Sequence, residues 1–179
     1  YLVKAAIGET IDNETLGGAT THCSISGVTD YKAKDDQDAL NRIKNIVGKI
    51  GDYDKAGFNR EKAEKPVSDE KEIYGIIPKS RADQYDMYEI IKRLVDNSEW
   101  DEYKPDYGKT LITAYARIDG WAVGIVANQR KVVKTAKGEM QFGGAIYSDS
   151  ADKATRFIAN CNQKKIPLVF IQDVTGFMV

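Results

Sequence analysis

The chain has 179 residues, enough for one ordinary domain or for one domain and part of another. Hydrophobic residues make up 42% and charged residues 30% of the chain, values that are typical of a folded globular protein and exclude wholesale disorder. The near balance of 26 basic and 27 acidic side chains disfavours a nucleic-acid binder, and no apolar run approaches the roughly 20 residues that a transmembrane helix needs.

The first third of the chain combines a glycine-rich segment with one amphipathic helix. Tyr1-Leu2-Val3 is typical of the inside of a strand, and Asp35 or Asp36 can cap a helix that follows. The predicted buried face of this helix contains Ala39, Leu40, Ile43, Ile46, Val47 and Ile50. Because the chain starts without Met and stops in the apolar run Gly176–Val179, we expect an internal piece of a longer protein.

A charged segment separates this part from the rest of the chain. From Asp52 to Glu72, 12 of 21 residues are charged, their signs are mixed and the apolar periodicity disappears. Such a composition is typical of a solvent-exposed linker. We therefore predict a first domain over 1–58, a linker over 59–72 and the start of a second domain over 73–179.

The second part begins with a short helix and a hairpin. The apolar segment Ile73–Pro78 precedes a helix that Asp86 can cap. The buried stripe of this helix is predicted to contain Ile90, Ile91, Leu94 and Val95. Thr110–Ile118 and Trp121–Ala127 are β-rich runs joined by Asp119-Gly120, which predicts a type I′ hairpin because both turn positions need positive φ.

A polar loop over 128–147 leads to a final helix and strand. Ser148 or Asp149 can cap the helix. Its predicted inner face contains Ala151, Ala154, Phe157, Ile158 and Cys161. Ile166–Ile171 is a continuous apolar run, which predicts a strand buried on both faces. The order of hairpin, helix and strand implies α/β layering, with a crossover helix that returns to a parallel strand.

The strongest candidate site lies directly after that strand. Ligands of open α/β sheets bind beyond the carboxyl ends of the strands, which is the position of Asp173–Met178. Gly176 can expose a backbone N–H that stabilises an oxyanion, or it can serve a plain β-to-α turn. Gly17-Gly18 can let a thioester or a phosphate approach the main chain, or it can simply form a sharp loop.

Charged and ionisable groups are weaker candidates. Asn128–Lys131 ends the second hairpin strand, where its positive charge could hold the phosphates of a nucleotide or belong to a solvated loop. His22 lies in a Ser/Thr-rich loop and is expected to be structural rather than catalytic. One histidine and two cysteines, Cys23 and Cys161, are too few for a four-ligand zinc site or a disulfide scaffold. We therefore expect the protein to reside in a reducing compartment.

Several motifs occur together along nearly the whole chain. They are, in chain order, Leu16–Ala19 with His22, Ser26-Gly27-Val28, Tyr107-Gly108, Ala116-Arg117-Ile118, Val123–Asn128, Ile166–Phe170 and Thr175-Gly176-Phe177. This set resembles the carboxyltransferase subunits of biotin-dependent acyl-CoA carboxylases and decarboxylases. Within that family, the long connection over 131–149 most resembles the α subunit of glutaconyl-CoA decarboxylase.

The resemblance implies a crotonase-like (ClpP/crotonase) α/β fold, with the end of one crotonase domain and the start of a second. It also implies a homo-oligomer whose active site lies between subunits, where an acyl-CoA meets biotin on a separate carrier protein. Thr175, Gly176 and Phe177 match the family's loop beside the biotin and acyl pocket, with Gly176 and Phe177 as catalytic main-chain positions. The expected acyl-CoA contacts are Gly17, Gly18, Gly124, Asn128 and Arg130.

The implied activity is transfer of a carboxyl group from glutaconyl-CoA to biotin, which leaves crotonyl-CoA. The alternatives are a β subunit of an ATP-dependent methylcrotonoyl- or propionyl-CoA carboxylase, and a non-catalytic CoA-binding module. Expected partners are a biotin carrier protein and either a membrane sodium-pump decarboxylase subunit or a biotin carboxylase subunit. We expect a cytoplasmic location, peripheral to the membrane only through partners, and no bound metal. Because the family's main oxyanion glycines lie outside this sequence, the piece alone is expected to be inactive.

Overall fold

The computed structural model describes residues 2–50, 59–80 and 82–178. The helices are α1 (Leu2–Ile7), α2 (Asn13–Gly17), α3 (Ala19–Ser24), α4 (Asp36–Ile50), α5 (Ile73–Ile76), α6 (Met87–Ile91) and α7 (Ser148–Lys164). The strands are β1 (Trp100–Glu102), β2 (Leu111–Ile118), β3 (Trp121–Asn128), β4 (Val133–Lys134), β5 (Met140–Gln141), β6 (Ala145–Ile146), β7 (Leu168–Ile171) and β8 (Gly176–Phe177). Among the described residues, no helix has both the length and the apolar character needed to cross a membrane.

A four-stranded sheet in the order β1-β2-β3-β7 forms the centre of the fold. β2 and β3 form the predicted hairpin, and Asp119 and Gly120 have φ of 51° and 79°, as a type I′ turn requires. The crossover through α7 returns the chain parallel to β3, so that Gly124–Ala127 pairs with Leu168–Ile171. The predicted α/β layering is confirmed.

Two hydrophobic clusters cover opposite faces of this sheet. One face packs against α6 and the turn that follows it, in a cluster that includes Met87, Ile91, Val95, Ile112 and Ile125. The other face packs against α7, in a cluster that includes Tyr115, Val126, Phe157 and Cys161. The alternation of side chains along β2 and β3 divides their apolar residues between the two clusters.

Close packing of α7 on β3 depends on the small size of Gly124. A Cβ built on Gly124 would lie 2.6 Å from Cys161 Sγ and 3.1 Å from Leu168 Cδ2. Phe157 and Cys161 are fully buried on the same side. A glycine at this position therefore lets the crossover helix lie directly on the sheet.

α7 also buries a lysine over the hairpin. Lys153 Nζ donates to Leu111 O at 2.9 Å and lies 3.7 Å from Glu102 Oε1. Burial lowers the pKa of Lys153 to about 8, and the Glu102 carboxylate opposes that shift. The predicted inner-face residue Ala151 is exposed, because the rotation of α7 turns Lys153 inward instead. The helix begins one residue after Tyr147, whose backbone N–H donates to Ser150 Oγ at 2.9 Å, so the predicted caps at 148 or 149 were wrong.

α4 is confirmed as a helix, but its apolar face is only partly packed. Asp35 Oδ1 caps the helix by accepting the backbone N–H of Asp38 at 2.8 Å. An ion pair between Lys49 and Asp101 holds its carboxyl end to the sheet. The predicted buried residues that are instead more than half exposed are Leu40, Ile43 and Val47. The helix therefore turns one edge of its apolar face to the sheet and leaves the other edge uncovered by the described residues.

Three further sequence predictions need correction. Leu2 and Val3 belong to α1 rather than to a strand, in a run whose Ala5 and Ala6 favour helix, while Tyr1 lies outside the described residues. The helix capped by Asp86 ends at Ile91, and Leu94 beyond it is about one-third exposed.

β7 is also shorter and less buried than predicted. It begins at Leu168, and Phe170 is 50% exposed, because β7 is the last strand of the sheet within the described chain. One edge of this apolar strand therefore has no neighbouring strand among the described residues.

Contacts join the regions on either side of the predicted linker. Lys104 is fully buried, and its Nζ pairs with Asp30 Oδ1 at 2.7 Å and donates to the carbonyl oxygens of Gly27 and Thr29. Within the linker, Glu61 N donates to Gly120 O at 3.0 Å. Residues 51–58 lie outside the described residues, and the domain boundaries remain a prediction.

We expect Gly124→Ala to destabilise the full protein by about 1–3 kcal/mol, because the added methyl group overpacks the contact with Cys161. Gly48→Ala is the matched control, since a Cβ at Gly48 in α4 meets nothing within 4 Å and alanine favours helix. Thermal unfolding checks both variants. An unchanged melting temperature for Gly124→Ala would contradict the packing role.

Candidate active site

A cleft of about 600 Å³ lies at the carboxyl ends of β3 and β7. It is lined by residues 77–80, Asp83, Tyr85, Arg130 and residues 173–175. Parallel neighbouring strands end at the same edge of a sheet, which is where ligands of such sheets bind. The cleft thus occupies the position at which the sequence predicts a site.

Main-chain hydrogen bonds hold the loop after β7 in this cleft. Asp173 N donates to Asn128 Oδ1 at 3.2 Å, and Asn128 is buried at the end of β3. Thr175 N donates to Gly144 O at 2.7 Å, and Gly144 N donates to Gln129 O at 2.8 Å. The loop is therefore tied both to the end of β3 and to the turn that precedes β6.

Side chains tie the same loop a second time. Arg130 Nη1 donates to Thr175 Oγ1 at 2.8 Å, and Arg130 Nε lies 3.3 Å from Asp173 Oδ2. Tyr85 Oη donates to Asp173 Oδ2 at 2.9 Å. Burial, together with this hydrogen bond to Asp173, raises the pKa of Tyr85 to about 12, so the phenol stays protonated as the donor.

Gly176 and Phe177 follow directly as β8, which pairs in parallel with β6. The φ of Gly176 is not in the left-handed region, and a Cβ built there meets nothing within 4 Å. Neither backbone conformation nor packing within the described residues therefore requires glycine at this position. Phe177 is 78% exposed beside it, which leaves an apolar ring and an uncrowded main-chain edge together.

Gly17 and Gly18 do not line the cleft. A Cβ on Gly18 would collide with the main chain of Glu14, while a Cβ on Gly17 would make an ordinary contact with His22 Nε2 at 3.6 Å. His22 Nδ1 lies 3.0 Å from Ser26 Oγ. Packing within α2 and α3 thus accounts for Gly18, as packing against α7 accounts for Gly124.

Of the residues that sequence reasoning assigned to the site, Arg130 and Thr175 line the cleft and Asn128 orders its loop. The predicted catalytic positions Gly176 and Phe177 follow the lining as β8 and do not belong to it. Sequence reasoning missed Tyr85, which meets Asp173 across 88 residues of chain. It also missed the segment 77–80 as a wall of the cleft. The one signal for that wall was Pro78, which ends the apolar segment just before the helix at Asp86.

Comparison with known proteins identifies the family. The family described as "Carboxyl transferase domain" matches residues 1–179. The chain belongs to this family. The carboxyl transferase domains of solved structures share its fold, which confirms the crotonase-like class expected from the sequence.

Two curated relatives show the range of the family around this carboxyl transferase domain. The chain is 42% identical over 178 residues to the biotin-dependent 3-methylcrotonyl-coenzyme A carboxylase beta1 subunit of Mycobacterium tuberculosis. It is 33% identical over 183 residues to the methylmalonyl-CoA decarboxylase subunit alpha of Propionigenium modestum. Each alignment covers 99% of the chain, but the chain spans only 31% and 33% of the two relatives.

A solved transcarboxylase 12S structure with hydrolysed methylmalonyl-coenzyme A bound is similar throughout the chain. It aligns over 99% of the chain with a TM-score of 0.85 and 31% identity, and the chain covers 33% of it. That structure shows a hexamer assembly and substrate binding to a multienzyme core.

We expect Asn128→Ala to speed hydrogen exchange at the Asp173 amide by about tenfold, since the variant removes the acceptor of that N–H. Asn162→Ala, at an exposed position of α7, is the control and leaves the Asp173 amide unchanged. Exchange measured on the full protein checks this expectation. Equal exchange in the two variants would show that Asn128 does not hold the loop.

Proposed function

We propose that the chain forms part of a carboxyltransferase that moves a carboxyl group between an acyl-CoA and biotin on a carrier protein. Family membership and the names of the relatives support this reaction class. The observation that carries the proposal is Gly176, which directly follows the last cleft-lining residue, Thr175, and which neither its backbone angles nor packing within the described residues requires to be glycine. A ligand that approaches the main chain explains such a glycine.

We place the biotin ring against the loop Thr175–Phe177. Phe177 presents an exposed apolar face, Thr175 is held in place by Arg130, and the edge at Gly176 is open to close approach. Biotin supplies a ureido nitrogen that carries the carboxyl group between the two substrates. The chain's own contribution is to hold main-chain groups where negative charge develops on an enolate or on the ureido oxygen.

Of the acyl-CoA contacts expected from the sequence, the cleft supports only the position of Arg130, whose guanidinium contacts Thr175 and Asp173. Asn128 is buried outside the lining and acts on the cleft by holding the Asp173 amide. Packing alone accounts for Gly18 and Gly124, so these glycines give no support to an acyl-CoA contact. Gly17 has space around it but no contact with the cleft lining.

The reaction that we favour is carboxylation of a methylcrotonoyl-type acyl-CoA. Relatives from Mycobacterium tuberculosis, Dictyostelium discoideum and Arabidopsis thaliana that are 42–43% identical carry methylcrotonyl-CoA carboxylase names. Decarboxylation is the second candidate, supported by the methylmalonyl-CoA decarboxylase relatives at 33% identity. The comparisons give no specific support to glutaconyl-CoA, which was the substrate favoured from the sequence.

The hexamer assembly of transcarboxylase 12S supports a proposal for the assembly. We propose a homo-oligomer whose sites lie between subunits, served by a biotin carrier protein and, for the carboxylase reading, by a biotin carboxylase subunit. If the reaction is decarboxylation, the proposed partner is instead a membrane sodium-pump subunit. We propose a cytoplasmic location for either assembly.

Incubation of the full protein with free biotin and 3-methylglutaconyl-CoA, glutaconyl-CoA or methylmalonyl-CoA tests the proposal. Transfer breaks the carbon–carbon bond of the donor, forms carboxybiotin and returns the biotin N–H proton to the acyl carbon. We expect the fastest release of decarboxylated acyl-CoA from 3-methylglutaconyl-CoA, in a biotin-dependent manner. Binding of CoA thioesters without transfer from any donor would favour the non-catalytic module instead.

Gly176→Val should reduce carboxyl transfer at least a hundredfold while the protein stays folded, because a Cβ at this position meets no atom of the described residues within 4 Å and the added side chain occupies the space beside the main chain. Gly48→Val in α4 also enters open space and serves as the control. Initial rates and thermal unfolding of both variants check this. Normal turnover by Gly176→Val would remove the loop from the mechanism.

A further inference from the structure

Arg130 occupies an unusual position between two loops of the cleft. It follows β3 by two residues, and its side chain is only 12% exposed although it lines the cleft. Its Nη1 donates a hydrogen bond to Thr175 Oγ1 at 2.8 Å, and its Nε lies 3.3 Å from Asp173 Oδ2 in an ion pair. One planar group therefore contacts both the start and the end of the short segment 173–175.

The paired glycines at 143 and 144 make room for this arginine. A Cβ on Gly143 would collide with the carbonyl oxygen of Arg130, and a Cβ on Gly144 would collide with Nη1 of its guanidinium. Gly144 also has φ of 78°, a conformation that favours glycine, and its carbonyl oxygen accepts the Thr175 N–H. The turn before β6 is thus shaped around Arg130 and bonded to the same loop.

The charges around Arg130 are arranged to fix its direction. Asp173 accepts from Tyr85 Oη on the same Oδ2 that faces Arg130 Nε. The backbone N–H of Asp173 also donates to the side chain of Asn128, which fixes the main chain at Asp173. The planar guanidinium combines a hydrogen bond to Thr175 with an ion pair to Asp173, whereas a lysine ammonium is a point charge on a flexible stem.

We infer that Arg130 is a positioning residue for carboxyl transfer: it sets the place of Thr175 and so of the Gly176–Phe177 edge that faces the ligands. The inference rests on the proposed function. Thr175 and Gly176 are consecutive, so displacement of the Thr175 side chain moves the main chain at Gly176. Misplacement of a reacting group by about 1 Å can lower a rate by roughly a hundredfold.

The test is steady-state kinetics on the full protein with Arg130→Lys, Thr175→Val and the double variant, using free biotin and the best acyl-CoA donor. We expect Arg130→Lys to lower kcat by about ten- to a hundredfold, with KM for the acyl-CoA changed less than about threefold. Because both substitutions remove the same hydrogen bond between Arg130 and Thr175, we expect kcat of the double variant to be no more than about threefold below that of Arg130→Lys. A kcat within about twofold of the wild type for Arg130→Lys, or losses that multiply in the double variant, would overturn the inference.

Arg117→Lys is the matched control. Arg117 is also 12% exposed and also bonds several groups, namely Asn59, Gly120 O, Gly48 O and Glu61, but it lies at the opposite end of the hairpin. We expect this variant to lower the melting temperature while kcat stays within twofold of the wild type, which separates stability from positioning.

Two further outcomes keep the test decisive. If Arg130→Lys does not fold, Thr175→Val alone removes the acceptor with little change of shape, and an unchanged kcat in that variant overturns the inference. If the wild type transfers no carboxyl group to biotin from any donor, the proposed function fails. If the wild type is active and the Arg130 and Thr175 variants keep its kcat, only the Arg130 inference fails.

Discussion

The parallel pairing of β3 with β7 is the constraint on which the site depends. It sets Gly124–Ala127 beside Leu168–Ile171, so that the chain leaves both strands at the same edge of the sheet. The pairing needs a crossover helix that lies flat on the sheet, which the missing side chain at Gly124 permits. Asn128 and Asp173 are 45 residues apart in the chain and meet only because of this register.

The groups at that edge of the sheet suit a reaction that depends on fixed, oriented polar groups rather than on side chains that gain or lose a proton. The loop contains the uncrowded position Gly176, a threonine hydroxyl and an arginine that is already paired with Asp173, while the Asp173 and Thr175 amides hold the loop in place. The cysteine on α7 faces the core instead, where burial raises the pKa of Cys161 to about 12. His22 is engaged with Ser26 in the glycine-rich segment. A reaction that develops charge on a thioester enolate and on a ureido oxygen needs fixed dipoles of this kind.

Sequence reasoning predicts the elements whose signals are local. The hairpin at Asp119-Gly120 and the crossover order of α7 and β7 each depend on neighbouring residues, and the structure confirms them. Burial depends on distant residues, so the exposure of Phe170 in β7 and of Val47 in α4 could not be predicted from apolar periodicity. The same holds for the cleft: local position indicated Gly176, but the contact between Tyr85 and Asp173 comes only from the fold.

A crystal structure of the full protein with both biotin and an acyl-CoA bound tests the central claim most directly. The account predicts that the biotin ring lies within about 3.5 Å of the main chain at Gly176, against the ring of Phe177, with the acyl group in the cleft beside Arg130. Ligands bound elsewhere, with the edge at Gly176 covered by a neighbouring subunit or open to solvent, would contradict it.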